Sequence, residues 1–453
     1  MSLVRVKRSA NSVSEAISAL NEQVLHTVSR RRIEQHDLIR VEVALKPFDL
    51  LAWLSSQRES AKFYWRDRET GTEYAGIGAV ETITSDTTNN LRQVDDAIVR
   101  RSEPNLRWFG GLPFDPARSP DKDREDFSYG RFVLPGIEVE VADDSATLAC
   151  NIALHDLRLY SRLACLGGID QNIWNENESF TMRSRRESPS REGWDRTIEL
   201  ILASIAAGTI GKLVPARQVT LELTSPLNPW RALARLKAQG GAVSLFGFQS
   251  DESHVFFGAS PERLFKRCGR TIETEAIAGT ISRSFDHEQD ARLAAQLMAS
   301  EKDRREHELV LDYLQESLEP LTDSLSVDKT SVLTLPQLQH LRTTVRGTVR
   351  DGISNPDLLA ALHPTPAVAG VPRETALSLI REIEPFDRGW YAGPIGWMSA
   401  NGAEFTVAIR SVLVAGNQLI LTAGAGIVEG SDAGAEWEET EQKIRSTLDT
   451  ILP

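Results

Sequence analysis

The run Gly424–Lys443, GAGIVEGSDAGAEWEETEQK, gathers residues able to hold a cation and an anion together. Past Gly-Ala-Gly and a turn-rich Gly-Ser-Asp the pattern becomes helical. Glu436, Glu439 and Lys443 then fall at i, i+3 and i+7, on one helix face. Neighbouring carboxylates repel, which raises one pKa or calls for a cation between them. A second pair, Asp303 and Glu306 in EKDRREHELV, has the same three-residue spacing. Two helices that each present such a pair could converge on a hard cation such as Mg²⁺, which takes oxygen ligands and often keeps positions open for a substrate anion. The alternative is two solvated helix faces, the usual fate of an isolated E-x-x-E.

Composition bounds what can surround these residues. The chain has 453 residues, 41% hydrophobic and 25% charged, ordinary for a globular protein with a large core. The net charge is 51 − 64 = −13, and no basic run exceeds the short RSRR and SRRR patches, so nothing favours a nucleic-acid partner. An acidic protein that takes an anionic substrate needs a local exception, either a metal or a buried Arg or Lys. Cys150, Cys165 and Cys268 are few and unevenly spaced, with no zinc spacing or disulfide framework, which fits a reducing compartment. The first residues, MSLVRVKRSANSVSEAI, lack an apolar signal region, and no run approaches a membrane span. The expectation is a soluble, cytoplasmic protein with no membrane partner; its oligomeric state is not legible.

The elements that must position the acidic patches follow from periodicity. Val13, Ile17, Leu20 and Val24 predict a helix over 12–30. A strand at 41–45, a helix at 47–54, strands at 62–67 and 73–79 and a helix at 87–101 come next. RWFGGLPFD at 107–115 is aromatic and glycine-rich, and 121–126 reads as a charged loop. Strands are expected at 132–134, 137–141 and 146–153, and an exposed loop at 173–193. A helix at 195–208 ends on Gly208. One strand with an early proline spans 212–223, then a helix 229–238 and strands at 243–249, 255–258 and 271–275. One long charged helix is read over roughly 286–318, a helix at 374–383, and strands in GPIGWMS, FTVAIRSVLV and NQLILTAGAG. Strands mixed with helices without a βαβ rhythm predict an α+β fold. Residues 1–192 read as a strand-rich part of the same body, and 193–453 as the catalytic region.

SPERLF, TEAIAGT, KDRREHELV, QHLRT, HPTPAVAGVPR, EPFDRGWYAGPIGW, FTVAIRS, AGAGIVEGSD and EWEETEQK together resemble the chorismate-utilising enzymes, and most closely the isochorismate synthases of menaquinone and siderophore pathways. The resemblance covers about 193–450, with RWFGGLPFD as an N-terminal echo. It implies the anthranilate synthase component I-like α+β fold: two layered, highly twisted subdomains with flanking helices and the active site between them. It also implies a general base, Lys212 in KLVPAR, and a general acid, Glu262 in SPER. A lysine acts as a base only if it loses its proton near neutrality, and an acid must keep its own until it meets the leaving group. Without the resemblance, Lys212 reads as a surface lysine at a strand start and Glu262 as a turn carboxylate.

The remaining roles are implied in the same way. Glu306 and Glu439 would bind Mg²⁺, with Asp303 and Glu436 as outer or water-mediated partners and Lys443 balancing the cluster. Arg410 in AIRS and Tyr391 in WYAG would hold the enolpyruvyl carboxylate of chorismate, the arginine through its bidentate fork. Gly424 and Gly426 would let backbone N–H groups come close to the substrate. Thr280 would line the ring pocket, and His340 in QHLRT matches an active-site histidine of the family. A satisfied structural histidine is the other reading of His340. The aminodeoxychorismate synthases carry a nucleophilic lysine where this chain has Ala278, and the anthranilate synthases lack the base lysine and carry an LLES motif absent here. The implied activity is therefore that of an isomerase, Mg²⁺-dependent conversion of chorismate to isochorismate. Salicylate synthesis by further pyruvate elimination is the runner-up, and a non-catalytic Mg²⁺-dependent anion-binding protein the reading from another class.

Overall fold

The computed structural model describes residues 2–6, 9–29, 38–59, 61–85, 91–101, 105–119, 126–153, 168, 173–174, 180–284, 286–334 and 338–452. Most of the expected loop at 121–126, the start of the expected helix at 87–101, and Cys165 lie outside the described residues.

Two runs of paired strands make up the α+β body. One proceeds through Ser2–Arg5, Leu38–Leu45, Ser145–Ala153, Gly130–Ala142, Glu73–Ser85, Lys62–Arg66, Ser244–Gln249, His254–Ser260, Ser411–Ala415, Gln418–Gly424, Ala216–Leu223 and Met182–Ser188. The other leaves the long strand Gly130–Ala142 through Trp108–Gly111, Pro394–Met398, Gly402–Val407, Arg263–Cys268, Thr271–Ser282 and Leu338–Val349. All neighbours are antiparallel except Ser2–Arg5 on Leu38–Leu45. Strands before residue 192 pair directly with strands after it, Lys62–Arg66 on Ser244–Gln249 and Trp108–Gly111 on Pro394–Met398. The Phe63, Trp65, Phe109, Phe127, Phe248, Phe256 and Trp390 rings pack into one buried cluster across the two portions. No helix among the described residues is long and apolar enough to cross a membrane.

Three local expectations are corrected. The stretch 212–223 is two strands, Lys212–Leu213 and Ala216–Leu223, in different sheets. Pro215 has no N–H to give a ladder, so pairing breaks there. The charged helix at 286–318 is two helices, His287–Ala299 and Glu301–Leu318, divided at Ser300. Ser300 has an extended backbone, and its side chain accepts the Asp303 N–H at 3.3 Å and caps the second helix. The expected loop 173–193 contains the strand Met182–Ser188 and the first turn of the helix Arg191–Ala206. That strand is polar on both faces and tied by ion pairs such as Arg185–Glu441, so it carries no apolar alternation to read. Pairing also adds strands at Thr322–Val327 and Ser331–Thr334, and a capping box on Ser354 starts a helix at Asn355–Leu362; none of these was expected.

Candidate active site

Lys212 is held by short-range pairing from two sides. Lys212–Leu213 pairs with Gly370–Val371, and Leu213 exchanges two backbone hydrogen bonds with Ile427. The latter contact brings the Lys212 strand beside Gly424–Gly426, whose own strand runs antiparallel to Ala216–Leu223. The Lys212 side chain is 1% exposed, and its Nζ lies 2.9 Å from Glu306 Oε1. Gly370, at φ +148, permits this approach: a Cβ there would stand 2.3 Å from the Lys212 carbonyl oxygen.

Glu262 sits in the turn between His254–Ser260 and Arg263–Cys268. The Ser260 hydroxyl donates to the Val407 carbonyl at 2.6 Å and accepts the Glu262 N–H at 3.2 Å. The Glu262 carbonyl accepts from the Val407 N–H at 3.0 Å and from the Thr406 hydroxyl. The Thr365 hydroxyl donates to Glu262 Oε1 at 3.4 Å. Burial pushes the Glu262 carboxyl up to about 7, helped by the charge of Glu275 and opposed by Lys212, Thr365 and Lys443. A carboxyl so placed stays substantially protonated up to neutrality, as a general acid must.

Both groups line one cleft of about 970 Å³, its open mouth included. Thr280, Glu306, His340, Tyr391, Arg410, Gly424, Gly426, Glu439 and Lys443 line it too. Thr280 and His340 are register partners on adjacent strands, and His340 Nδ1 lies 3.1 Å from the Thr280 hydroxyl and 3.2 Å from the Gly279 carbonyl. Burial takes the imidazole down to about 4, and the Arg410 and Lys443 charges push the same way, so His340 meets a substrate as a neutral ring. It is both satisfied and at the cleft wall. Burial pushes the Tyr391 hydroxyl up to about 12 and lowers the pKa of Arg410. Among the described residues no carboxylate forms an ion pair with Arg410 within 4.0 Å, which leaves its fork available to an anion. Arg410 (φ 54) and Ala392 (φ 62), beside Tyr391, are two of the three non-glycine residues in the left-handed region among the described residues. Strain of this kind, of order 1–3 kcal/mol each, gathers at ligand-holding positions.

The carboxylates divide differently. Glu306 and Glu439 line the cleft; Glu436 and Asp303 stand behind it and do not. Glu436 belongs to the buried stripe of the helix Ala433–Ile451, and its carboxyl is raised by burial and by the charges of Glu439 and Glu306. Asp303 packs its Cβ against Gly279. Each of three carboxylates has a lysine: Lys212 on Glu306, Lys443 on Glu439 at 2.6 Å and Lys302 on Glu436 at 3.5 Å. Lys443 also donates to the Gly424 carbonyl at 2.9 Å. The four do not draw their ligand atoms within 4.8 Å of one another; among the described residues only Asp126, Asp251 and His254 do so. That trio is already committed to hydrogen bonds with Arg131, Ser250 and each other, and none of it lines the cleft. The all-oxygen pair at the cleft, Glu306 and Glu439, backed by Glu436 with its carboxyl raised by burial and then by its neighbours' charge, nevertheless suits a hard divalent cation.

Gly426 is where the close approach of backbone to site matters. A Cβ on it would lie 2.6 Å from Glu306 Oε1 and 3.2 Å from Lys212 Cε. Gly426→Ala is expected to lower turnover about 100-fold by displacing both groups, the loss that a 1 Å misplacement can bring. Turnover within tenfold of the parent, with unchanged thermal stability, would show that the cleft has room to spare there.

Thr365, Arg388, Lys302 and Glu275 were not singled out from the sequence. Thr365, Arg388, Lys302 and Glu275 lie inside HPTPAVAGVPR, EPFDRGWYAGPIGW, KDRREHELV and TEAIAGT, so motif membership is the available signal. Arg388 is buried, pairs with Glu384, and donates to the Val368 and Val214 carbonyls at 2.9 and 2.7 Å, fixing the segment between Lys212 and the sheet.

Residues 21–452 match the family model described as chorismate binding enzyme. The chain is 34% identical over 412 residues to the isochorismate synthase MenF of Escherichia coli (strain K12), covering 89% of this chain and 91% of that protein. It is 30% identical over 461 residues to the salicylate biosynthesis isochorismate synthase of Pseudomonas aeruginosa, covering 97% and 95%. Among solved structures, the menaquinone-specific isochorismate synthase MenF of Escherichia coli superposes with a TM-score of 0.87 at 31% identity, covering 97% of this chain and 100% of that one. Anthranilate synthase component I from Streptococcus pneumoniae shares the fold, with a TM-score of 0.63 at 21% identity over 92% and 93% of the two chains. With its α+β body, its buried acid and lysine on one cleft and a match along nearly its whole length, the chain belongs to the chorismate-binding enzyme family.

Proposed function

We propose that the protein is an isochorismate synthase, converting chorismate to isochorismate. The observation that carries this reading is the single cleft that presents Lys212 and Glu262 together. Lys212 takes a proton from the water that attacks ring C2. Glu262 gives its proton to the C4 hydroxyl, which leaves as water with the C–O electron pair, so one water enters and one departs. Arg410 and Tyr391 orient the enolpyruvyl carboxylate, and Thr280, His340 and Gly424 shape the ring pocket. Glu306 and Glu439, backed by Glu436 and Asp303, would hold Mg²⁺, whose positive charge would receive the ring carboxylate. Lys443 neutralises part of that cluster from one turn away. Ala278 leaves no amine to form an adduct with the ring. We assign chorismate binding to residues 193–453 and read 1–192 as sheet scaffolding of the same body.

The test is product identity. Purified protein given chorismate and Mg²⁺ should yield isochorismate by chromatography, with no dependence on ammonia. Salicylate as the main product at neutral pH would replace this reading with the lyase one. Anthranilate from added ammonia would refute it, and chorismate bound but unchanged would make the protein a non-catalytic binder.

A further inference from the structure

The turn that carries Glu262 is anchored from outside the catalytic region. Arg68, in the turn between Lys62–Arg66 and Glu73–Ser85, donates to the Pro261 carbonyl at 2.6 Å. The same guanidinium makes two bonds to Glu275, one through Nη1 and one through Nη2 at 2.7 Å. Glu275 Oε1 also accepts the Arg263 N–H at 3.1 Å. The residues on either side of Glu262 are therefore both bound to one ion pair, and each of its side chains is 3% exposed. A buried pair of this kind costs desolvation and stabilises little by itself, which makes a positional role the stronger account of it.

We infer that the Arg68–Glu275 pair is a positioning device for the general acid: Arg68 fixes the Pro261–Glu262 turn to the N-terminal sheet, and Glu275 sets negative charge behind the Glu262 carboxyl. Neither residue lines the cleft, so both act through Glu262. The inference rests on the isochorismate synthase reading for the reaction, though its geometry does not. Charged groups face Glu262 from several elements: Glu275 on Thr271–Ser282, Lys212 on Lys212–Leu213 and Lys443 on Ala433–Ile451, with the Thr365 hydroxyl beside them. Of these, Glu275 alone favours the protonated carboxyl; the lysines and Thr365 oppose it. Through this turn the N-terminal portion would act on the chemistry of a cleft it does not line.

The experiment compares Glu275→Gln, Arg68→Lys, Arg68→Met and the doubly neutral Arg68→Met/Glu275→Gln with the parent. Glutamine keeps an acceptor for the Arg263 N–H and removes the charge. The fall of turnover on the alkaline side, where Glu262 loses its proton, should move down by about one pH unit in Glu275→Gln and in the same direction in the double variant. KM for chorismate should stay within about threefold, since the groups that bind it are untouched. Arg68→Met should cost about 100-fold in kcat through misplacement of the turn, and Arg68→Lys should recover part of it. Isotope-edited infrared spectra, differenced against Glu262→Gln, follow the Glu262 carboxyl directly, with no need of turnover. A Glu262 band that titrates lower in both glutamine variants supports the inference even if the product is not isochorismate. A band and an alkaline limb that stay put while thermal stability drops would make the pair purely structural and overturn it. The double variant leaves no buried unpaired charge, so it keeps the test open if Glu275→Gln alone does not fold.

Discussion

Lys212→Ala should lose most turnover, about 10²–10⁴-fold, while still binding chorismate. The amine lies against Glu306 Oε1 at 2.9 Å and is almost fully enclosed, so its removal withdraws a proton acceptor and frees a carboxylate. Metal affinity should therefore hold or rise, which separates loss of a base from loss of a site. Glu262→Gln should fall by a similar factor, because an amide keeps the shape and is a very poor proton donor. In the parent, the Glu262 carboxyl titrates at about 7, so the protonated, competent form declines as pH climbs through that value. Turnover should decline over the same range and lose that dependence in Glu262→Gln. The double variant should be little worse than either single one, since both groups serve one displacement. Calorimetric binding of chorismate beside turnover decides the matter. If Lys212→Ala abolishes binding yet turns over whatever substrate remains bound, Lys212 is a binding cation and the base lies elsewhere.

The pair Lys212 and Glu262 was legible because each sits in a short motif, and no other part of the sequence gives a strand-start lysine or a turn glutamate a reason to be buried. What the sequence could not carry is the reach between motifs. The Lys212–Glu306 contact joins residues 94 positions apart (306 − 212), through a strand pair at Gly370–Val371 that no periodicity announces. Arg68 reads as one charge among several in WRDRET, and only the fold brings it to Glu275. The break at Ser300 is not announced by the sequence, because the helix formers of LAAQLMA run straight into EKDRRE, and a serine inside such a run reads equally as a helix residue or a cap. The break at Pro215 was visible as a proline, but its consequence, two strands in two sheets, depends on what each half pairs with. Helices with an apolar stripe fare better: the helix expected at 229–238 has those limits, Pro229–Ala238, and the structure shows Asn228 capping it with Pro229 in its first turn.

The acidic face of Ala433–Ile451 carries the other large effect. Chelation with EDTA should abolish turnover, and Mg²⁺ should restore it. Glu439→Gln removes the charge of a cleft carboxylate, so Lys443 loses its ion pair and keeps only neutral acceptors, the amide oxygen and the Gly424 carbonyl. The Mg²⁺ concentration for half-maximal turnover should rise by roughly 10–100-fold or more, the loss that even outer partners of a bound metal command. The fold should tolerate it, since Glu439 lies beside the buried stripe of its helix and is not part of it. Glu436→Gln is the informative contrast. Its carboxyl is buried and already raised by Glu439 and Glu306, so amidation relieves repulsion as well as removing charge. It should weaken Mg²⁺ dependence less than Glu439→Gln does. Were Glu436→Gln the more damaging of the two, the buried carboxylate would be the direct ligand and the cleft residue its support. A normal Mg²⁺ response in Glu439→Gln, or full activity in chelator, would move the metal away from this helix altogether, and its carboxylates Glu436 and Glu439 would then be balanced by Lys302 and Lys443.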